Sequence, residues 1–409
     1  MTKPAILGGS PVNDALPDFI RWPRPTEKIK EALLRTLASG NWGTLSKENS
    51  DFAKKWAEYT GAGYALPCLN GTIAIELALR GLGIGRGDEV ITTGYTFTAT
   101  VHSIVNAGAA PVFADIDPET FCIDPKSAEE KITPRTKAIL GVHLGGRPFD
   151  ADLLRDICKK RGLYLIEDCA HAHGSQWKGQ KTGALGNAGC FSFQASKNIS
   201  AGEGGAVTTN DRDLYERLWS MHHNGRAFGR LIYDHPVLST DARLADWQCA
   251  ALSAQLPYLD DQITARMEGA ERLNSAFEKL PFLEPLAKDP RIERNSLHLF
   301  CFRYKPEGLN GLSREQFIEA LAAENVCLPG TGYADPIYEM AMLYTDDFKK
   351  LTGEEFKKPC LPANDLIAHR EGCWLYHSSL LGGQEGTDRI LEAIDRIAKY
   401  SEELKNTEA

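Results

Sequence analysis

Between about residues 60 and 210, short apolar runs rich in β-branched side chains alternate with stretches of helical periodicity. The runs are YALPCL, EVITT, APVFADI, AILGVHL, LYLIED, GCFSF and GAVTT, and the helical stretches between them include TIAIELALRGL, TATVHSIVNAG and DADLLRDICKKRG. Runs that are apolar at nearly every position belong in a sheet covered on both faces, and the intervening helices supply the cover. The pattern therefore predicts an α/β domain built on a mostly parallel sheet. Ligands of such sheets collect beyond the carboxyl ends of the strands, so the residues after each run are where chemistry is expected.

A long helical stretch from Ala245 to about Leu280 then bridges to a different pattern, in which strands (HLFCFRY, then VCLPG) mix with helices (REQFIEALAAE, GTDRILEAIDRIAKYSEEL). This predicts a smaller α+β domain. With 409 residues the chain exceeds what one hydrophobic core usually serves. We divide it into a large domain over 1–262, which includes an N-terminal arm, and a small C-terminal domain over 263–409.

Composition removes several classes of function. The formal charge of −9 comes with no dense run of Lys and Arg, which argues against nucleic acid as a partner. The ten cysteines are scattered without a C-x-x-C pair, the usage expected of reduced, buried thiols in a cytoplasmic protein. No basic head precedes an apolar stretch at the N-terminus, and no segment reaches the roughly 20 apolar residues of a membrane helix, so neither export nor membrane insertion is expected.

Five sets of residues carry candidate chemistry. Lys197, in CFSFQASKNISAGEGG, sits after a strand-like run and before a glycine-rich loop; by itself it reads as a solvated loop lysine, but an ammonium in an apolar neighbourhood is costly, and its neutral form is the one that makes Schiff bases. Asp168, at the end of LYLIED, could hold the proton on a pyridine nitrogen, bind a metal or cap a helix. His171 and His173, two apart, would share a face if they lay in a strand, yet no third ligand is placed nearby and no metal site is expected. Asn70-Gly71-Thr72 opens a helix and suits a phosphate, or is a plain cap. Tyr95 and Phe97 follow a strand and could stack on a flat ring or fill the core. The glycines of GLGIGRGDE follow a helix and precede a strand, the reverse of a dinucleotide loop, and are read as a turn.

Taken in this order, with LGGSPV, WPRP, SGNW, NGT, YTFTAT, GVHLGG, IEDCAHAHGS, FSFQASKN and GEGG, the chain resembles the DegT/DnrJ/EryC1/StrS family of aminotransferases. The resemblance implies an aspartate-aminotransferase-like fold, pyridoxal 5'-phosphate as cofactor, and a homodimer with shared active sites. It implies that Lys197 forms the Schiff base and shuttles protons, that Asp168 pairs with the pyridine nitrogen, that His171 and Phe97 lie against the ring, and that Gly71, Thr72 and Ser192 hold the phosphate. Arg243 and His377 fall at positions where the family touches substrate.

One departure stands out. Where the family commonly has Gly-x-Asn-x-Arg, with the Asn reaching the neighbouring subunit's cofactor, this chain has Ser239-Thr240-Asp241-Ala242-Arg243; the resemblance places Asp241 at that cofactor contact, where a carboxylate repels a phosphate unless it is protonated or bridged. Gln194, the MHHNGR segment and WLYHSSLLGG resemble glutamine-dependent inosose aminotransferases and 3-amino-5-hydroxybenzoate synthases. The implied reaction moves an amino group from glutamine or glutamate to a keto-sugar or keto-cyclitol, in amino sugar or aminocyclitol biosynthesis. The alternatives are a dehydratase or aromatising synthase of the same family, and a non-catalytic sensor built on the fold.

Overall fold

The computed structural model describes residues 2–43, 46–230 and 233–406. In chain order its strands are β1 Tyr64–Cys68, β2 Glu89–Thr93, β3 Ala110–Ala114, β4 Thr136–Val142, β5 Tyr164–Asp168, β6 Gln176–Trp177, β7 Gln180–Lys181, β8 Ala188–Ser192, β9 Gly205–Thr209, β10 Leu283–Pro285, β11 Ile292–Arg294, β12 Leu299–Tyr304, β13 Pro329–Gly330 and β14 Gly372–Tyr376. Each of the seven apolar runs forms a strand of one sheet, in the order β1-β9-β8-β5-β4-β2-β3. Only β9 breaks the parallel arrangement, pairing antiparallel with both β1 and β8.

Burial explains the continuous apolar runs. Val90, Ile91, Ile139, Leu140 and Ile166 are fully buried between helices on the two faces, and each such side chain contributes about 1.5–3 kcal/mol relative to exposure. Because β1, β2, β4, β5 and β8 are mutually parallel, they all end on one edge. That edge gathers Asn70, Phe97, Val142, Asp168 and Ser192.

The second sheet, β10-β12-β14-β13, is antiparallel throughout. It packs on the helices Leu259–Phe277, Arg314–Ala323 and Gly383–Lys399 through a core that includes Phe277, Phe300, Phe302, Phe317, Leu375 and Ile394. Ile390, Ile394 and Ile397 lie at helical spacing and are all buried, so this helix turns one apolar stripe to the sheet. A third, three-stranded sheet joins the halves of the chain, since β11 pairs with β6.

The bridging helical stretch is broken after QCAALSAQLPYL into two helices, Asp246–Gln255 and Leu259–Phe277, separated at Pro257 by a 3-10 turn, because proline cannot donate to the ladder. The first residues of the N-terminal arm, grouped above with the large domain, bond to the C-terminal half. The buried Glu324 carboxylate accepts from the Ala5 and Val12 N–H groups at 2.8 and 2.9 Å, and Leu7 and Val12 pack against the C-terminal core.

Candidate active site

Lys197 lies in the connection between β8 and β9, which is folded back on itself by backbone bonds from Phe193 to Gly204 and from Ala195 to Gly202. The lysine's own backbone is pinned by its N–H to the Gln194 carbonyl and by the Trp22 indole, which donates to the Lys197 carbonyl at 2.8 Å. Next to it, Asn198 donates to the Ser296 carbonyl at 2.9 Å. The side chain is thereby directed into a cavity of about 600 Å3. Burial lowers the ammonium to about 8, with Asp168 acting in the opposite direction.

Asp168 closes β5 and is buried at the same cavity. One carboxylate oxygen accepts from the Thr100 hydroxyl at 2.8 Å and the other from the Ala170 N–H at 3.1 Å. A carboxylate has about four acceptor positions, so capacity remains toward the cavity. Burial raises its pKa, which means the charged form gains from any cation brought alongside. Glu167, its neighbour in sequence, points the other way: the His143 ring and the N–H groups of Gly183, Leu185 and Gly186 saturate it. Its role is to hold the loop before β8.

At the far end, the Asn70 side chain caps the helix Gly71–Gly81 by accepting from the Ile73 N–H at 2.9 Å. The first N–H groups of that helix stay unsatisfied and carry the positive end of its dipole. Gly71 packs so closely on β8 that an added Cβ would stand 2.8 Å from the Ser192 Cβ. Gly71, Thr72 and Ser192 all line the cavity, forming an anion cradle.

The aromatic pair divides. Phe97 is 59% exposed and lines the cavity, whereas Tyr95 is a core residue packed on Phe121 and Tyr333. His171 lines the cavity and accepts the Gly145 N–H at Nδ1, 3.3 Å, which leaves Nε2 as the protonated nitrogen. Burial holds it well below its ordinary pKa and therefore neutral. His173 is not its partner in a strand; the segment turns after β5, and His173 is buried against the Ser192 carbonyl at 2.8 Å. Among the described residues, the clusters with metal-ligand geometry include none of Asp168, His171 and His173.

Two expected substrate residues are not at this cavity. His377 is buried behind it, in ring contact with Trp22 at 4.7 Å and hydrogen-bonded to the Ser196 carbonyl at 3.0 Å. Arg243 forms an ion pair with Asp241, and both sit in a segment whose backbone bridges to Cys68 and His223. Neither side chain reaches the cavity formed by its own chain.

The remaining wall escaped sequence reading. Tyr333, Trp374, Tyr376 and Leu299 come from the second half of the chain, and His298 lies against His171 with ring centroids 4.4 Å apart and the rings tilted by 35°. His298 is oriented by Asn198, whose Oδ1 lies 3.2 Å from Nδ1. A lone histidine opening the apolar strand LFCFRY was the available signal. Thr100 offered none, since hydroxyl residues are common near helix starts.

An amine lowered toward neutrality, a buried acid with unused acceptors, an exposed aromatic ring and an anion cradle share one cavity of a size that takes a flat phosphorylated cofactor. Gly71 is the sharpest test of fit, because only the missing Cβ lets the cradle close on Ser192. The donor set fits pyridoxal phosphate, and the chain is a pyridoxal-phosphate-dependent aminotransferase with the fold type I architecture. It belongs to the DegT/DnrJ/EryC1/StrS aminotransferase family, whose model matches residues 23–394. It is 36% identical over 418 residues, covering 99% of each chain, to a Micromonospora echinospora protein provisionally named L-glutamine:3-amino-2,3-dideoxy-scyllo-inosose aminotransferase. It is 33% identical over 422 residues to the L-glutamine:2-deoxy-scyllo-inosose aminotransferase of Streptoalloteichus tenebrarius, covering 98% of this chain and 99% of that one. The crystal structure of 3-amino-5-hydroxybenzoic acid synthase superposes with a TM-score of 0.84 at 32% identity, covering 95% of this chain and all of that one.

Proposed function

We propose that the enzyme takes an amino group from glutamine or glutamate and delivers it to the ketone of a cyclitol or sugar, in the biosynthesis of an aminocyclitol or amino sugar. Full-length similarity to relatives named for scyllo-inosose ketones supports the substrate class. Pyridoxal phosphate, when bound, supplies an aldehyde that condenses with amines and a ring that delocalises the electrons left by deprotonation.

The chain's own residues do the rest. Lys197 carries the amine that condenses with the cofactor and afterwards moves a proton at the reacting carbon, a task suited to an amine held near neutrality. Asp168 keeps the pyridine nitrogen protonated, and Gly71, Thr72 and Ser192 fix the phosphate and hence the register of the ring. Phe97 covers one face, and the neutral His171 offers its Nε2–H from the side of the β5 turn. The units 1–262 and 263–409 enclose the cavity together.

The enzyme acts as a homodimer with shared sites. Tyr233 and Leu238, 96% and 93% exposed in one chain, precede Asp241 and Arg243, and this segment is the one we assign to the neighbouring cofactor and substrate. The absence of disulfides, with nine of ten cysteines buried as free thiols, supports a cytoplasmic location.

The single observation that carries this reading is the Lys197 amine and the Asp168 carboxylate at one cavity, electrostatically coupled. Borohydride reduction of the yellow holoenzyme, followed by peptide mass spectrometry, is expected to place the tag on Lys197. Incubation with glutamine and 2-deoxy-scyllo-inosose is then expected to give the amino product. A tag elsewhere removes the assignment of the lysine. Aromatisation of a cyclic ketone without a net amino product favours the synthase reading suggested by the structural likeness to 3-amino-5-hydroxybenzoic acid synthase.

A further inference from the structure

A second cavity, of about 400 Å3, lies on the other side of the wall that closes the active site. Leu299 of β12 lines both cavities. Its apolar lining includes Met267, Leu286, Leu297 and Phe300. Into it faces Arg147, 9% exposed, whose guanidinium has no hydrogen-bond or ion-pair partner among the described residues. A guanidinium on a largely buried side chain, with its donors open only to the cavity, is poised for an anion, and its five donors in a planar fork match a carboxylate.

The other charges at this cavity are already matched. Lys288 pairs with Glu271 at 2.9 Å. Asp289 is held by Arg291 at 2.8 Å, and Arg291 also reaches Asp150 at 2.8 Å. Among the described residues, Arg147 is therefore the charged side chain of the lining that makes no direct ion pair; Asp289 acts on it only through space, and the carboxylates of Glu271 and Asp289 would repel a second negative charge on an occupant. The apolar wall asks for a hydrophobic body. We propose that this cavity is a second binding site, for a small monocarboxylate with an apolar or aromatic body.

Its occupancy is coupled to the first site through a short turn, a consequence that rests on the aminotransferase reading above. The turn Leu144–Arg147 carries Gly145, whose N–H is donated to His171 at the active-site wall. It has no slack: a Cβ on Gly145 would meet the Leu299 carbonyl at 2.9 Å, and one on Gly146 would meet the Leu297 nitrogen at 2.8 Å. An anion that engages Arg147 pulls on the same turn that orients His171.

The test uses benzoate as the probe on the holoenzyme, with benzamide as its neutral isostere and inorganic phosphate as a dianion-forming control, read by calorimetry and ligand-observed NMR. Benzoate is expected to bind, benzamide and phosphate to bind more weakly, and Arg147→Gln to weaken benzoate by about tenfold or more. Ala287→Phe, which narrows the cavity and leaves Arg147 in place, is expected to weaken it as well. Circular dichroism and the visible band of both variants report folding independently of the probe. Unchanged affinity in folded Arg147→Gln, equal binding of benzamide, or no benzoate binding at all overturns the proposal. Loss of binding in Lys197→Ala but not in Arg147→Gln places benzoate in the active site and overturns it too. Failure of the borohydride tag at Lys197 bears only on the aminotransferase reading, because the binding measurement does not use it.

Discussion

Acidification from about pH 7.5 to about pH 5 should destabilise the folded chain by about 4 kcal/mol through two histidines alone. His173 and His222 are buried, and burial lowers each from an ordinary value of 6.5 to about 3. Both are neutral in the fold: His173 bonds the Ser192 carbonyl and His222 the Pro67 carbonyl, each at 2.8 Å. The unfolded chain therefore takes up protons near pH 6.5 while the folded chain refuses them until about pH 3, so the stability present above 6.5 is lost as pH falls across that window. At pH 5 the gap is about 1.5 pH units, or about 2 kcal/mol per group. His171, His298 and His377 are depressed by burial in the same sense and steepen the fall. Asp168 and Asp246, raised by burial, oppose it. His222→Gln isolates the effect, since it lies away from the active-site cavity and a neutral amide can still donate to Pro67. Urea unfolding at a series of pH values should show the variant's acid slope reduced by about 1.4 kcal/mol per pH unit. Superimposable profiles for parent and variant between pH 6 and 4 would refute the reasoning.

Three further outcomes follow from the site. Asp168→Asn keeps an acceptor for Thr100 but removes the charge facing the cavity, so kcat should fall about 100-fold or more while the thermal midpoint stays near the parent's. Gly71→Ala drives a Cβ onto Ser192, and should cost about 1–3 kcal/mol of stability and speed cofactor loss on dialysis; Ser192→Gly in the same chain should restore part of both. Glu167→Gln turns an amide NH2 toward donors that now share one carboxylate, and urea unfolding should show a loss of about 3 kcal/mol or more. A Glu167→Gln enzyme as stable as its parent yet inactive would contradict the structural role given to that residue.

Much of the site was legible because parallel strands deliver their last residues to one edge. Asp168 at the end of β5 and Asn70-Gly71 after β1 could be read as neighbours from run boundaries alone, whereas Ser192 at the end of β8 came only from the family resemblance. The same reasoning could not separate Glu167 from Asp168, since adjacent strand residues face opposite sides and either side could have been the cavity. Nor could it separate Tyr95 from Phe97. His298, Tyr333 and Trp374 arrive from the second half of the chain, more than a hundred residues away from Lys197, and no local spacing encodes that approach.

The chain's apolar periodicity was sufficient for the seven strands of the first sheet, the helices between them and the edge where ligands gather, because those follow from local geometry and burial; the short strands β6, β7, β10 and β11, and β14 of the second sheet, were not read from it. Tertiary structure alone decided that β9 runs against its neighbours, that the N-terminal arm docks on Glu324, and that Arg147 faces a second cavity without a direct ion pair among the described residues. Each of these depends on which distant groups meet, and a charge is matched or unmatched only by what stands within a few ångströms of it.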